Sequence, residues 1–292
     1  MMRAWTLVAV AVLAASSEAA VICRKKSGVM VIRDADCRKK ETKVDLAQFG
    51  ALGPVGPAGS PDTADQVREK FFAGTACPGS GPGDTMVRVG PICVDVYEAS
   101  VFDSLTGGTQ FGASADDYPC NHDGHDCAGA NAIFARSVAG VKPAIRITWF
   151  QAQQACANAG KRLLTSAEWQ LAAAGTPDPG MLGDGIVACN TSTTGTVNSG
   201  SSLNCTSAAG VHDLIGNVKE WVADWSALST ANVGWGFSDD LALLAGASEV
   251  QGPAAWLRGG SNFDGSSSGV FAIDASRRPD ESLPPVGFRC AR

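Results

Sequence analysis

Gly216-Asn217-Val218-Lys219-Glu220-Trp221-Val222-Ala223-Asp224-Trp225 gathers two tryptophans, two carboxylates and an amide into ten residues. Upstream lies Lys161-Arg162-Leu163-Leu164-Thr165-Ser166-Ala167-Glu168-Trp169. Downstream lie Leu257-Arg258-Gly259-Gly260-Ser261 and the terminal Val286-Gly287-Phe288-Arg289-Cys290-Ala291-Arg292. Crowded carboxylates and indoles serve either a reaction centre or a buried scaffold, and the remainder of the chain bears on which.

A chain of 292 residues with 45% hydrophobic residues can bury a sizeable core, enough for one main domain and a smaller appendage. Charged residues make up 18% and there are 34 glycines, which favours a loop-rich fold over a helical bundle. The net charge is −6, yet Val21 to Phe49 holds eight Lys/Arg against four Asp/Glu. The acidic remainder argues against a nucleic-acid groove.

Arg3, the apolar run Ala4 to Ala15 and the small residues to Ala20 have the form of a secretory signal, with cleavage near Ala20. The run is too short to span a bilayer, and no later segment is long and apolar enough. All ten cysteines follow that point, so in an exported chain they read first as disulfides and second as metal thiolates. Residues 21–49 form a small basic segment with a short strand expected over Gly28 to Ile32. Cys23 and Cys37 can close a loop there. Residues 50–61 make four Gly-X-Y triplets, too few for an independent triple helix and suited to a polyproline-like spacer. A short helix over Asp62 to Phe72 and a turn-rich boundary over Cys77 to Asp84 complete a linker, 62–83.

The main domain, 84–292, opens with two alternating runs, Met86 to Val89 and Ile92 to Glu98, around Gly90-Pro91, which predict a hairpin that Cys77 and Cys93 can anchor. From Phe111 to Pro143 the chain reads as irregular. Thr148 and Gln151 form a capping box for a helix over 149–159, and Thr165 and Glu168 another for 166–174.

Three constellations have chemical potential. Cys120-Asn121-His122-Asp123-Gly124-His125-Asp126-Cys127 offers zinc or calcium ligands, or a small disulfide-closed loop; its spacing matches no standard zinc signature. Gly265-Ser266-Ser267-Ser268-Gly269 has the form Gly-x-Ser-x-Gly. It lies in a Gly/Ser loop rather than between a buried strand and a helix, and His212 precedes it, contrary to the hydrolase order. Asp213 and Glu220 flank a Gly-containing turn and suit a hard cation such as calcium, while Glu220 and Asp224 equally suit turn caps or arginine partners.

Taken together, residues 149–174, 216–225, 257–261 and 287–289 resemble the formylglycine-generating enzyme family, also called the sulfatase-modifying factor family, over roughly residues 84–292. The resemblance implies an α+β, loop-rich, disulfide-stabilised variant of the C-type lectin-like fold. It implies a bridge from Cys156 to Cys290, leaving Cys77 with Cys93, Cys120 with Cys127 and Cys189 with Cys205. It also implies a structural calcium held by the side chains of Asp213 and Glu220 and the carbonyls of Gly216 and Val218. Lys219 stands where the family often has tryptophan.

The family's enzymes bind cuprous ion through two cysteines shortly after the Gly-Gly-Ser turn, thiolate being a soft ligand. Asp264 and Gly269 occupy those places here, so no copper and no formylglycine formation are expected. The leading expectation is an exported, non-catalytic, calcium-stabilised module that binds a protein or glycan at the cell envelope, periplasmic, cell-surface or secreted. Its ligand loop is 262–286, with Asn262, Phe263, Phe271, Asp274, Arg277 and Arg278 as candidate contacts. The alternative is an oxidoreductase or metal-dependent enzyme of the same family with a divergent site, for which His122, His125 and Asp123 are the candidate ligands.

Overall fold

Residues 21–27, 29–33, 36–44, 76–235, 238–246 and 248–292 are described by a computed structural model. The chain divides into two units, Met1–Pro61 and Asp62–Arg292. The signal, the Gly-X-Y spacer and the helix expected over 62–72 lie outside the described residues.

In the first unit, β1 (Val21–Lys25), β2 (Met30–Arg33) and β3 (Glu41–Lys43) form an antiparallel sheet with β1 central. Cys23 is fully buried and bonded to Cys37, and the Arg33 guanidinium forks onto Glu41 at 3.1 and 2.5 Å. So small a sheet has little apolar area to bury, and the disulfide supplies the closure its core cannot.

The second unit begins with β4 (Ala76–Cys77), β5 (Met86–Val89) and β6 (Ile92–Asp95), then β7 (Ala99–Phe102), β8 (Gln110–Phe111) and β9 (Phe134–Ser137). Next come α1 (Trp149–Asn158), β10 (Arg162–Leu163) and α2 (Ser166–Ala172). Beyond a long irregular stretch follow β11 (Lys219–Leu228), β12 (Ala231–Asn232), β13 (Ala242–Ala245), β14 (Ser248–Gly259), β15 (Gly269–Arg277), β16 (Val286–Phe288) and β17 (Cys290–Ala291). Three sheets result, ordered β10-β17-β6-β5-β4, β12-β13-β15-β14-β11-β16 and β8-β7-β9.

Both helices start where their capping boxes place them. Thr148 accepts from the Gln151 N–H while Gln151 accepts from the Thr148 N–H, and Thr165 and Glu168 repeat the exchange. The second helix ends two residues earlier than its sequence suggests. The Ala173 carbonyl accepts from both the N–H and the hydroxyl of Thr176, and Gly175 turns the chain at φ 80°, so the helical ladder stops.

The expected hairpin is present, with Val87 opposite Val94, but β6 ends at Asp95. Asp95 and Asp84 both receive the Lys161 ammonium at 2.7 Å in a fully buried triad. That triad, with Cys77 paired to Met86, draws the turn-rich boundary at Cys77 to Asp84 into the sheet rather than leaving it as linker. The stretch read as irregular contains β9, which pairs with β7 from Phe134↔Phe102 to Ser137↔Ala99. Its burial does not alternate, because both faces are covered, so the period-2 signal is missing.

The core lies where α1, α2 and the long strands meet. Trp221, Leu257, Phe288, Ile147 and Ile133 form one cluster, and Trp169, Leu164, Leu214, Val94 and Val222 form a second. Each such side chain contributes about 1.5–3 kcal/mol by leaving water. Cys156 on α1 is joined to Cys290 on β17, at a Cα separation of 5.8 Å and across 134 residues of chain. The other pairs are Cys77–Cys93, Cys120–Cys127 and Cys189–Cys205, as the resemblance implies. Replacing Cys156 and Cys290 together by alanine should lower unfolding stability by about 5 kcal/mol in urea denaturation, the most of any pair, because that loop is the longest.

Candidate functional site

The Gly216–Trp225 stretch is a turn followed by the start of β11. Gly216 and Asn217 take left-handed backbone at φ 76° and 55°. A Cβ at Gly216 would lie 2.2 Å from the Asn190 carbonyl, so only glycine fits. Asn217 is fully buried and ties three loops together. Its Nδ2 donates to Glu98 at 2.7 Å, and its Oδ1 accepts from Asn190 at 3.0 Å and the Val197 N–H at 2.8 Å.

Glu220 lies at the centre. Both its oxygens accept from Arg289 Nε at 2.8 Å, Oε1 accepts from Arg289 Nη2 at 2.5 Å, and Oε2 accepts from the Trp169 indole at 2.7 Å. Arg289 also donates to the carbonyls of Asp95 and His212. Burial works against the Arg289 charge, but Glu220, Glu98 and Asp213 outweigh it and raise its pKa. Burial first, then the Asp213 and Glu220 charges, push Glu98 well above the carboxylate range, and burial lifts Asp213 to about 6. Asp213 accepts the Gly200 N–H through Oδ2, while its buried Oδ1 has no partner among the described residues. The tryptophans diverge. Trp221 is buried and donates to the Ile147 carbonyl, whereas Trp225 is exposed edge-on against Trp149.

A separate cleft of about 470 Å³ opens between residues 113–114, 142–146, 194–196, 262–263 and 284–285. Phe263 stands 62% exposed on its wall. Of the other candidate contacts only Asn262 lines this cleft. Phe271 faces Trp235, Arg277 leans toward Asp274 and Glu281, and Arg278 pairs with Asp280 at 2.7 Å. Asp274 is buried on β15 against Lys219 and is therefore no surface contact. Lys142 and Arg146, which also line the cleft, carry no motif and escape a sequence reading.

The Cys120 loop is a closed disulfide turn. His122 faces Asp116 and His125 faces Asp123, each at 2.9 Å, so the imidazoles engage different carboxylates. Asp123, His125 and Asp126 each bring one ligand-type atom within 4.8 Å of the others on this largely exposed turn. The Gly-x-Ser-x-Gly run begins as a single 3-10 turn, Gly265–Ser267. His212 meanwhile stacks on Tyr97 and bonds Thr206, so no hydrolase triad forms.

Residues 120–292, more than half of the chain, match the sulfatase-modifying factor enzyme 1-like domain. The chain belongs to this family. Its strand-rich, loop-rich unit with both capped helices is the family's C-type lectin-like fold. The match starts later than residue 84, although β6, upstream of it, pairs with the terminal β17. Similar solved structures include the M1 variant of the major tropism determinant (18% identity, TM-score 0.47) and its U1 variant (20%, 0.46), each covering 95% of this chain and 72% of that one. Treponema denticola variable protein 1 is 16% identical with a TM-score of 0.38, covering 68% of this chain and 94% of that one. No curated protein matches the chain in sequence.

The family's copper does not fit the residues present. All ten cysteines are in disulfides, so no thiolate is left. Asp264 accepts from the N–H and hydroxyl of Ser261, and Lys219 lies 3.5 Å from it and 3.3 Å from Asp274. A Cβ at Gly269 would lie 2.1 Å from the Asp240 carboxylate, so a cysteine has no room there. The space beside Lys219 and Asp274 is about 10 Å³, enough for one water at most.

The calcium set fits no better. Each Glu220 oxygen already accepts two donors, and a divalent ion there would face the Arg289 guanidinium. If Arg289 stands in for the cation at Glu220, the unit should melt at the same temperature in EDTA and in calcium buffer. Glu220→Gln removes the carboxylate directly bonded to the buried Arg289 guanidinium and should cost about 3–5 kcal/mol. Arg162→Gln, which breaks the exposed pair to Glu168, should cost under about 1 kcal/mol. Asp213 has a folded pKa raised above its unfolded value, so its protonation stabilises the fold as pH falls from above 6 toward 4. Asp213→Asn should therefore be more stable than wild type at pH 7.5, by up to roughly 3 kcal/mol, and converge with it near pH 4 in thermal melts.

Proposed function

We propose that this protein is an exported, non-catalytic member of its family that binds a protein or glycan ligand at the cell envelope through the cleft beside Phe263. The observation that supports it is the sealing of the family's reactive place. Lys219 lies between two carboxylates, Asp240 packs on Gly269, and all ten cysteines are oxidised. The neighbouring cleft, by contrast, is open, with Phe263 exposed on its wall.

Five disulfides indicate an oxidising compartment, which agrees with the signal-like first twenty residues. Among the described residues no helix is long and apolar enough to cross a membrane. The loop 262–286 lines the cleft through its two ends, Asn262 and Phe263 at one and Pro284 and Pro285 at the other, while the chain between them forms β15 and a run of ion pairs.

Two measurements test this reading. Copper-treated protein incubated aerobically with a cysteine peptide should yield no aldehyde by mass spectrometry; stoichiometric conversion would make it an enzyme. In envelope extracts, the full chain should capture a ligand that the variant Phe263→Asp fails to capture. Equal capture by both would remove the cleft as the binding surface.

A further inference from the structure

The cleft beside Phe263 is cationic in an acidic chain. Among the described residues its lining contains Lys142 and Arg146 and no Asp or Glu, against a net charge of −6 for the whole protein. The Lys142 ammonium is partly committed, donating to the Thr196 carbonyl across the cleft. Arg146 differs: its guanidinium makes no hydrogen bond or ion pair among the described residues, although the residue is partly buried.

The backbone holds Arg146 there against its own preference. Its φ is 57°, a left-handed value that a branched or long side chain rarely adopts. Neighbouring bonds enforce it. The Ile145 N–H donates to the Gly112 carbonyl, the Tyr118 hydroxyl donates to the Ile145 carbonyl, Ser282 donates to the Arg146 carbonyl, and the Trp221 indole donates to the Ile147 carbonyl. Arg146 is thus pinned by its neighbours at the lining of the cleft, the kind of backbone outlier from which a binding role is inferred.

The remaining lining narrows the ligand. Ser114, Thr194 and Thr196 supply hydroxyls, and Asn262 spends its Nδ2 on the Thr193 carbonyl, leaving Oδ1 to accept. Phe263 offers one exposed aromatic face, and no deep apolar pocket accompanies it. The volume suits one or two sugar rings.

We propose that this cleft binds an anionic sugar, its acid group on the Arg146 guanidinium with Lys142 beside it, and its ring face on Phe263. This rests on the binding-module reading and names its ligand class. A charge-assisted pair of this kind is worth roughly tenfold or more in affinity.

The test is calorimetric titration of the full chain with a trigalacturonate, a heparin tetrasaccharide and maltotriose. Arg146→Gly is the decisive variant, because glycine accepts the left-handed backbone and the melting temperature should be no lower than wild type. Arg88→Gln, on the exposed face of β5, removes one positive charge elsewhere as the control. We expect at least one acidic oligosaccharide to bind, weakening with salt, at least tenfold more weakly to Arg146→Gly, and unchanged with Arg88→Gln; binding of trigalacturonate shows that a carboxylate suffices, and binding of heparin alone shows that sulfate is required. Equal binding of maltotriose, or an Arg146→Gly variant that binds as wild type, overturns the proposal. If no sugar binds while extracts still yield a Phe263-dependent ligand, or if an Asp/Glu-rich peptide alone binds, the ligand class falls and the binding-module reading stands.

Discussion

The second unit depends on one buried ion pair. Arg289, the residue directly after β16, reaches Glu220 at the head of β11, and both are 1% exposed. An arginine and a glutamate brought out of water cost several kcal/mol each, which mutual attraction offsets only when every donor and acceptor is used. Here they are. Trp169 on α2 completes Glu220, and carbonyls from the end of β6 and from His212 complete Arg289. Five segments far apart in sequence therefore converge on one charge pair, and the Cys156–Cys290 bond fixes the same terminal strand to α1.

The pair also accounts for the surplus of buried acid around it. Glu98 and Asp213 lie within its field, and Glu98 in turn accepts from Asn217, Ser199 and the Val218 N–H. Three carboxylates facing one guanidinium are not all comfortably ionised, which is why burial and mutual repulsion raise Glu98 and Asp213. In a cluster that resembles a metal site in sequence, the positive charge beside Glu220 among the described residues is the Arg289 guanidinium. A second buried triad, Lys161 with Asp84 and Asp95, performs the same task where the hairpin meets α1.

Scaffold and binding surface are consequently separate. The Gly-Gly-Ser turn that in the family's enzymes precedes the reactive thiols here leads into a packed corner where Lys219 bridges Asp264 and Asp274. Exposed chemistry is displaced to the far side of the Asn262–Phe263 step. Asn262 is anchored inward through the Thr193 carbonyl while Phe263 turns out to solvent. Adjacent residues on irregular backbone face opposite ways, so the loop presents Phe263 at its start and Pro284 and Pro285 at its end to the cleft.

Local signals made part of this legible from the sequence. Thr148 with Gln151 and Thr165 with Glu168 fix helix starts because a capping box is a contact between residues three apart. The Val87 and Val94 runs fix a hairpin because alternation and a Gly turn are local, and the order of the Gly-Asn, Gly-Gly-Ser and Gly-Phe-Arg motifs fixes the family. Between two readings of Glu220, cation ligand or arginine partner, the sequence could not decide, since that depends on whether Arg289, 69 residues later, arrives at its oxygens. Strand β9 was hidden because burial on both faces erases the alternation. The cationic cleft was hidden as well: Lys142 and Arg146 belong to no motif, and the left-handed turn that aims Arg146 is imposed by Gly112, Tyr118 and Ser282. Sequence determined the elements and the missing thiols, because those reside in residue identity and short spacing. Only the tertiary structure decided which charges meet, because burial and partnership are properties of segments brought together from across the chain.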